Sequence, residues 1–285
     1  MIEYPVFVPL GEDHLAAVIT VPDQEPEGMV LLLAGTGAPR SHRFQLWAKV
    51  ARRLAEYGLA SVRMDYRGMG DSTGLLRQLA MRQPRVDQAL AVARFAMRAT
   101  GASRLCVVGH CSGSLVALAV ASQVPECAAA VCVLPRILDP SPVNRLAISA
   151  RRSRLAAFVR NHPLMNRIAD RFRGRSGKPG SNARDQVSRA LEHGRLLFLY
   201  SERDIDAYSD RVQAELSKIM APLPRELRER FDLIVLPGGP VAGLETLSIQ
   251  RAYIEQVVGW VASSMGRSPA AVGEHRQPEQ RQVSG

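Results

Sequence analysis

Short apolar runs and helical periodicities alternate along most of the chain. Runs typical of buried strands lie at residues 28–35, 60–66, 105–108, 128–135, 195–201 and 231–237. Apolar residues that return every three or four positions predict helices over 43–57, 85–101 and 246–265. Two alternating runs at 3–10 and 14–22 predict an opening antiparallel pair of strands. Strands that alternate with helices in this way imply right-handed crossovers and a mostly parallel sheet, an α/β fold.

The size and composition of the chain fit this fold. Its 285 residues, 46% of them hydrophobic, suffice for one large core. No apolar run approaches the roughly 18 residues of a membrane span, and residues 1–10 lack the basic and apolar regions of a secretory signal. We therefore expect a cytoplasmic protein without a transmembrane segment.

The four cysteines show neither metal-site nor disulfide spacing. Cys106, Cys111, Cys127 and Cys132 lie in or beside apolar runs, and no pair is separated by only two residues. We expect free thiols and no metal site, with three of the cysteines as small core residues. Cys111 is the exception because of its neighbours.

One short stretch places a thiol between a strand and a helix. The run that ends at Val108 is followed by Gly109-His110-Cys111-Ser112-Gly113 and then by an alanine- and leucine-rich helical stretch. This is the G-x-nucleophile-x-G pattern of a strand-to-helix elbow, with cysteine in the nucleophile position. The pattern makes Cys111 the candidate nucleophile.

Together with this elbow, three further motifs resemble the α/β-hydrolase superfamily over nearly the whole chain. Residues 31–43, LLLAGTGAPRSHR, resemble the loop that supplies an oxyanion-hole amide, and residues 64–74, MDYRGMGDSTG, resemble the turn after the fourth strand. Asp204, in LYSERD, occupies the position of the triad acid. The SHR loop, the cysteine elbow and the YSERD strand end are most similar to exosortase-A-associated hydrolases and to cysteine acyl-shuttle enzymes of nonribosomal peptide assembly lines.

The resemblance implies an α/β-hydrolase fold with a mostly parallel central sheet, helices on both faces and a basic helical lid. The implied core covers residues 1–140 and 191–265, the lid 141–190, and a disordered polar tail 266–285. It also implies that the backbone amides of Thr36 and Ser112 form the oxyanion hole.

The chain departs from the family at the catalytic histidine. The family pattern after the last strand is P-G-x-x-H, but here the text is LPGGPVAGLETL, and the histidine position falls at about Val241 or Ala242. Asp204 then has no histidine to orient, and three interpretations stay open for it: a relic, a structural hydrogen-bond acceptor, or the partner of a histidine from elsewhere.

A thiol without a histidine base favours acyl transfer over hydrolysis. A free thiol is already a few per cent thiolate at neutral pH, and the amides at a helix N-terminus favour the charged form. Attack on a thioester expels a thiolate of similar basicity, whereas water needs a base to attack the acyl-enzyme. We therefore expect an acyl group on Cys111 to wait for another nucleophile.

Other roles stay open for several residues. Cys111 is alternatively a small residue in a retired elbow, and the hydroxyl of Ser112 is a weaker candidate nucleophile than its amide is an oxyanion donor. His42 is a candidate substitute base, and His110 is expected to be structural. The turn at residues 64–74 is expected to be braced by Asp65, Arg67 and Asp71.

Most of the positive charge lies in one segment. Residues 145–175 contain nine arginines and one acid, which is +8 of the formal net charge of +10. We predict that the lid docks an acidic acyl or peptidyl carrier protein through Arg151, Arg152, Arg154, Arg160, Arg167 and Arg171. The alternatives are a solvated lid face and binding of an anionic membrane or of nucleic acid, although no nucleic-acid motif is present. Residues 173–185, RGRSGKPGSNARD, are predicted to form a loop.

These observations together predict a cysteine-dependent acyltransferase or thioesterase-like enzyme. Its expected substrate is an activated acyl group, such as a thioester on a phosphopantetheine arm, and no bound cofactor is expected. An ester or thioester hydrolase with a substitute base and an inactive binding protein of the same fold are the alternatives. Neither the acyl group nor the oligomeric state follows from the sequence.

Overall fold

Eight strands form one sheet in the computed structural model, which describes residues 1–35, 37–75, 85–135, 179–204 and 210–267. The strands are β1 (Ile2–Leu10), β2 (Asp13–Val21), β3 (Met29–Leu33), β4 (Ala60–Met64), β5 (Leu105–His110), β6 (Cys127–Val133), β7 (Arg195–Ser201) and β8 (Phe231–Leu236). The helices are α1 (Leu46–Glu56), α2 (Val86–Thr100), α3 (Ser112–Ala121), α4 (Pro179–His193), α5 (Asp210–Met220), α6 (Arg225–Arg228) and α7 (Leu247–Ser264).

The sheet is mostly parallel, as the sequence predicts. Its strand order is β1-β2-β4-β3-β5-β6-β7-β8, and only the β1–β2 and β2–β4 pairs are antiparallel. All residues of β3, β4 and β5 are buried, which explains why β3 and residues 105–108 of β5 are continuous apolar runs rather than alternating ones, although β4 also buries Ser61 and Arg63. The core of the molecule lies on these central strands.

The order of the crossovers fixes where a site can form. The chain leaves β3 for its neighbour β4 and then returns past β3 to β5, so right-handed crossovers put α1 and α2 on opposite faces of the sheet. On one face α1 packs against α7, and on the other α2 and α4 pack against α3. The strand order reverses between β3 and β5, and in α/β sheets ligands bind beside the carboxyl ends of such strands.

Two local details differ from the sequence predictions. The helix predicted over 43–57 is an α-helix only from Leu46, because a 3-10 turn at Arg43–Gln45 with a left-handed Phe44 precedes it. The loop predicted over 173–185 is wrong from residue 179 onward, where α4 begins. This helix buries Val187 and Leu191 against the sheet, and such packing outweighs the weak helix propensity of its polar first turn.

Several sequence predictions concern residues that the structure does not describe. The arginine-rich residues 145–175 and the tail from 268 lie outside the described residues. Within the described ranges, no helix is both long enough and apolar enough to cross a membrane.

Candidate active site

Cys111 stands at the junction of β5 and α3 in a strained backbone conformation. Its φ of 56° and ψ of −116° are rare for a residue with a side chain, and it forms the N-cap of α3. Its amide donates to the carbonyl of Val133, and its own carbonyl accepts from the amide of Ser114 at 3.1 Å. The thiol is partly exposed, whereas the other three cysteines are buried.

Two glycines make the tight elbow possible. A Cβ atom on Gly109 would lie 2.2 Å from the carbonyl oxygen of Gly113, and one on Gly113 would lie 2.5 Å from the carbonyl oxygen of Leu33. Any side chain at either position would therefore push α3 away from the strands. The two glycines let the helix start directly beside Cys111.

The loop after β3 approaches the elbow at Gly35. A Cβ atom on Gly35 would lie 3.2 Å from the Cβ of Cys111 and 3.9 Å from the amide nitrogen of Ser112. Ser112 is the first residue of α3, at the positive end of the helix. The structure thus brings one predicted oxyanion donor, the Ser112 amide, next to this loop. Thr36, the other, lies outside the described residues.

Asp204 binds the backbone of the loop where a histidine is expected. Its carboxylate accepts hydrogen bonds from the amides of Val241 at 3.4 Å and Ala242 at 3.3 Å, and from the amide and hydroxyl of Ser201 at 2.9 and 2.6 Å. Asp204 is 5% exposed, so these donors replace water around the charge. No histidine of the described chain hydrogen-bonds to it.

Behind the elbow, two buried histidines contact each other. Nε2 of His110 lies 3.0 Å from the carbonyl oxygen of Val241, which can only accept, so His110 donates there. Nδ1 of His110 then accepts from Nε2 of His42 at 3.2 Å. Trp47 and Tyr253 surround the pair, with ring centroids 5.3 Å from His42 and 6.2 Å from His110, respectively.

This arrangement disfavours His42 as a base. Its Nδ1 has no hydrogen-bond partner among the described residues, the thiol of Cys111 included. Burial, together with the neighbouring His110, lowers the pKa of His42 to about 3. Burial also lowers the pKa of His110. Both imidazoles are therefore neutral at pH 7, and His42 is a weak proton acceptor.

The other histidines of the described chain lie elsewhere. His193 ends α4 just before β7, at the amino end of the strands, and bonds to the carbonyl of Ala121. His14 is exposed on β2 beside Thr73. Neither imidazole hydrogen-bonds to Cys111 or to Asp204 within the described residues. The proposed carrier-binding arginines, from Arg151 to Arg171, fall outside the described residues.

The structure contains a contact that the sequence does not predict, between the loop after β3 and the turn after β4. Arg40 donates from its backbone amide to Oδ1 of Asp65 at 2.6 Å, and its guanidinium pairs with Asp65 and Asp71. The only signal was an arginine in one loop and two aspartates in a distant motif, and spacing alone does not pair them. The bracing role expected for the aspartates is consistent with these contacts.

The elbow follows β5 and the acid follows β7 in one sheet, and comparisons with known proteins agree with the fold of this sheet and its helices. The family described as "alpha/beta hydrolase fold" matches residues 29–164. An esterase of Pyrococcus furiosus is similar over 93% of this chain and 92% of its own, with 18% identity and a TM-score of 0.68. The chain has the α/β-hydrolase fold.

Other structures with the α/β-hydrolase fold are similar to about the same degree. A thermostable carboxyl esterase from Bacillus coagulans has 13% identity and a TM-score of 0.63, covering 93% of this chain and 99% of its own. A thioesterase domain from the curacin biosynthetic pathway has 16% identity and a TM-score of 0.57, covering 90% and 100%. No curated protein sequence matches the chain. At such low sequence identity, structural similarity establishes the fold alone. The chemistry depends on the residues of the site.

Proposed function

We propose that this α/β-hydrolase-fold chain is a cysteine-dependent acyltransferase, or a thioesterase-like enzyme, that takes an acyl group from a thioester onto Cys111. The hydrogen bonds of the loop after β8 support transfer rather than hydrolysis. There Asp204 binds the amides of Val241 and Ala242 instead of an imidazole, and no imidazole of the described chain bonds to Cys111.

The proposed first step needs no base. The Cys111 thiolate attacks the carbonyl carbon of the thioester, the bond from that carbon to the donor sulfur breaks, and the donor leaves as a thiolate that takes a proton from water. Amides beside the elbow, including that of Ser112, stabilise the oxyanion that forms in between. Because one thiolate replaces another, the exchange is close to thermoneutral.

The second step decides between transfer and hydrolysis. An incoming thiol supplies its own thiolate, attacks the acyl carbon and returns the Cys111 thiolate. Water is a weak nucleophile that requires a general base, which typically contributes 10²–10⁴-fold. A site without that base should keep its acyl group in water and release it to a thiol.

The charge of the chain supports an acidic carrier as the donor. The arginine run at 145–175 is strongly positive, and a positive surface increases the association rate of an acidic partner in a salt-dependent way. A thioester on the phosphopantetheine arm of such a carrier is the substrate class that this proposal names. The curacin thioesterase domain, a structural neighbour, comes from a biosynthetic pathway and supports the same choice.

Ester or thioester hydrolysis with a substitute base is the second candidate. The similarity to two esterases supports it, and His42 is its candidate base. This candidate predicts steady release of free acid that is lost in His42→Ala. The contact of His42 with His110 and the pKa of about 3 weigh against it.

The proposal is tested by intact-protein mass spectrometry after incubation with a panel of acyl-pantetheine thioesters. We expect an acyl adduct on the wild type that is absent in Cys111→Ala and is released by added thiol at least about tenfold faster than by water. Steady hydrolysis without a lasting adduct would support the esterase candidate. No adduct and no consumption of any thioester would indicate a binding protein that retains only the fold.

A further inference from the structure

Arg40 connects the loop after β3 to a rigid part of the sheet. Asp65 directly follows β4, and its amide donates to the carbonyl of Ala16 in β2 at 2.9 Å. Its carbonyl accepts from the hydroxyl of Ser72 at 2.8 Å, and its carboxylate accepts from the amide of Asp71 at 3.3 Å. The side chain of Asp65 is fully buried, so the carboxylate is a fixed anchor.

Arg40 contacts the Asp65 carboxylate through two groups, its backbone amide and its guanidinium. The backbone amide of Arg40 donates to Oδ1 of Asp65 at 2.6 Å, while the guanidinium donates to Oδ2 of the same carboxylate. The guanidinium also reaches Oδ2 of Asp71 at 2.7 Å. A planar guanidinium that spans two carboxylates fixes both the position and the orientation of its backbone.

The loop that Arg40 holds is the one that contacts the nucleophile. Between Gly35 and His42 the described backbone bonds mainly to itself, from Ala38 to Gly35 at 3.2 Å and from His42 to Pro39 at 2.8 Å. Its start lies against Cys111 at Gly35, and its end bonds to His110 through His42. Arg40 is the anchor in the middle.

We propose that Arg40 is a positioning residue for acyl transfer: its pairing with Asp65 and Asp71 holds the loop after β3 at the distance from Cys111 that oxyanion stabilisation requires. The inference rests on the proposed function and adds to it a residue that touches neither the thiol nor the acyl group. A shift of the loop by a fraction of an ångström weakens stabilisation of the oxyanion but leaves the thiol itself in place.

Two reactions of Cys111 separate positioning from folding. Acylation by a thioester forms a tetrahedral oxyanion, whereas alkylation by iodoacetamide displaces iodide at a saturated carbon and forms none. Both are followed by intact-protein mass spectrometry, and the other three cysteines are buried, so the folded protein reports Cys111. The ratio of the two rate constants measures oxyanion stabilisation and cancels changes in the thiol.

We expect Arg40→Met to lower the acylation rate constant about 10- to 100-fold, less than the 10²–10³-fold cost of losing an oxyanion donor outright. Its alkylation rate should change less than about twofold. Arg40→Lys, which keeps the charge but loses the fork, should recover part of the acylation rate.

Arg67→Met is the matched control. Arg67 lies in the same turn and pairs with a carboxylate, that of Asp13 at 2.7 Å, but makes no hydrogen bond or ion pair to the described residues of the loop after β3. Both rate constants should stay within about twofold of wild type in this variant. A loss equal to that of Arg40→Met would mean that any damage to the turn lowers acylation, and would overturn the proposal.

The remaining outcomes are also decisive. Equal losses of acylation and alkylation in Arg40→Met would show a distorted elbow and overturn the positioning role, and so would an unchanged acylation rate. A wild type that is alkylated by iodoacetamide but acylated by no thioester would overturn the proposed function itself, and with it this inference. The first two results leave the proposed function intact.

Discussion

The identity of a single atom at residue 111 separates the proposed chemistry from that of a serine elbow. Cys111 sits in a backbone conformation that exposes its side chain at the start of α3, and the described chain offers it no imidazole partner. A thiol reaches its nucleophilic form without help at neutral pH, whereas a hydroxyl does not. A cysteine at residue 111 can therefore act as a nucleophile although the described chain offers it no imidazole base.

Replacing this sulfur by oxygen tests that consistency. We expect Cys111→Ser to lower the rate of thioester acylation by about 10²–10⁴-fold, the contribution that a general base usually makes, because nothing deprotonates the serine. The measurement is adduct formation by mass spectrometry. Cys127→Ser is the control, because Cys127 is buried at the amino end of β6. This variant should keep the wild-type rate. Full acylation of the serine variant would mean that a base is present.

At the scale of elements, the loop between β8 and α7 is held by residues from several elements, two of which lie near Cys111. Asp204, after β7, binds the amides of Val241 and Ala242, and His110, at the end of β5, donates to the carbonyl of Val241. Val241 is fully buried and Ala242 is exposed. The loop thus keeps its place beside the acid although it carries no histidine.

A histidine placed in this loop should turn transfer into hydrolysis. The amide of Ala242 is 3.3 Å from Oδ1 of Asp204, and an exposed position accepts a larger side chain without core strain. We expect Ala242→His to shorten the lifetime of the acyl-enzyme in water at least about tenfold, measured by loss of the adduct with time.

Two variants control this graft. Ala242→Gln adds bulk without a base and should leave the lifetime unchanged, and Ala242→His combined with Asp204→Asn should lose most of the gain, because the new imidazole then lacks its carboxylate. Val241→His tests the neighbouring position, but Val241 is fully buried, so this substitution is more liable to disturb the core. No gain at either position would contradict the assignment of this loop as the histidine position.

The elements show what local sequence can and cannot predict. The strands, the elbow around Cys111 and the helix that Thr246 caps depend on neighbouring residues, and the structure has all of them. The bond between His110 and Val241 joins residues 131 positions apart, and the pair of Arg40 and Asp65 joins two loops. Such contacts depend on where the sheet brings loops together, which no periodicity encodes.

For the whole molecule, the buried imidazole pair predicts acid sensitivity. Burial lowers the pKa of both His42 and His110 in the folded chain, while the unfolded chain binds protons near pH 6.5. The nearby charge of Arg43 lowers both pKa values further, while the hydrogen bond to the Val241 carbonyl and the charge of Asp204 partly offset the shift at His110. Protons therefore favour the unfolded chain below pH 6.5.

For His42, the expected loss is about 1.4 kcal/mol of the free energy of unfolding per pH unit as the pH falls from 6.5 toward 3, and His110 adds a loss of the same sign. Urea unfolding at a series of pH values measures the slope. His42→Asn should flatten it, and the same change at His14, which is exposed, should not. Identical slopes for wild type and His42→Asn would show that the pair does not titrate as described.

The bonds of Asp204 to backbone amides also explain how the fold tolerates the loss of its histidine. A buried carboxylate that depended on an imidazole would become an uncompensated charge once that ring was replaced, at a large cost in stability. Here the amides of Val241 and Ala242 and both donors of Ser201 already solvate it. A substitution at the position where the family carries its histidine therefore costs little stability at Asp204. Under the proposed function, a transferase can then arise from a hydrolase by one substitution that does not destabilise the fold.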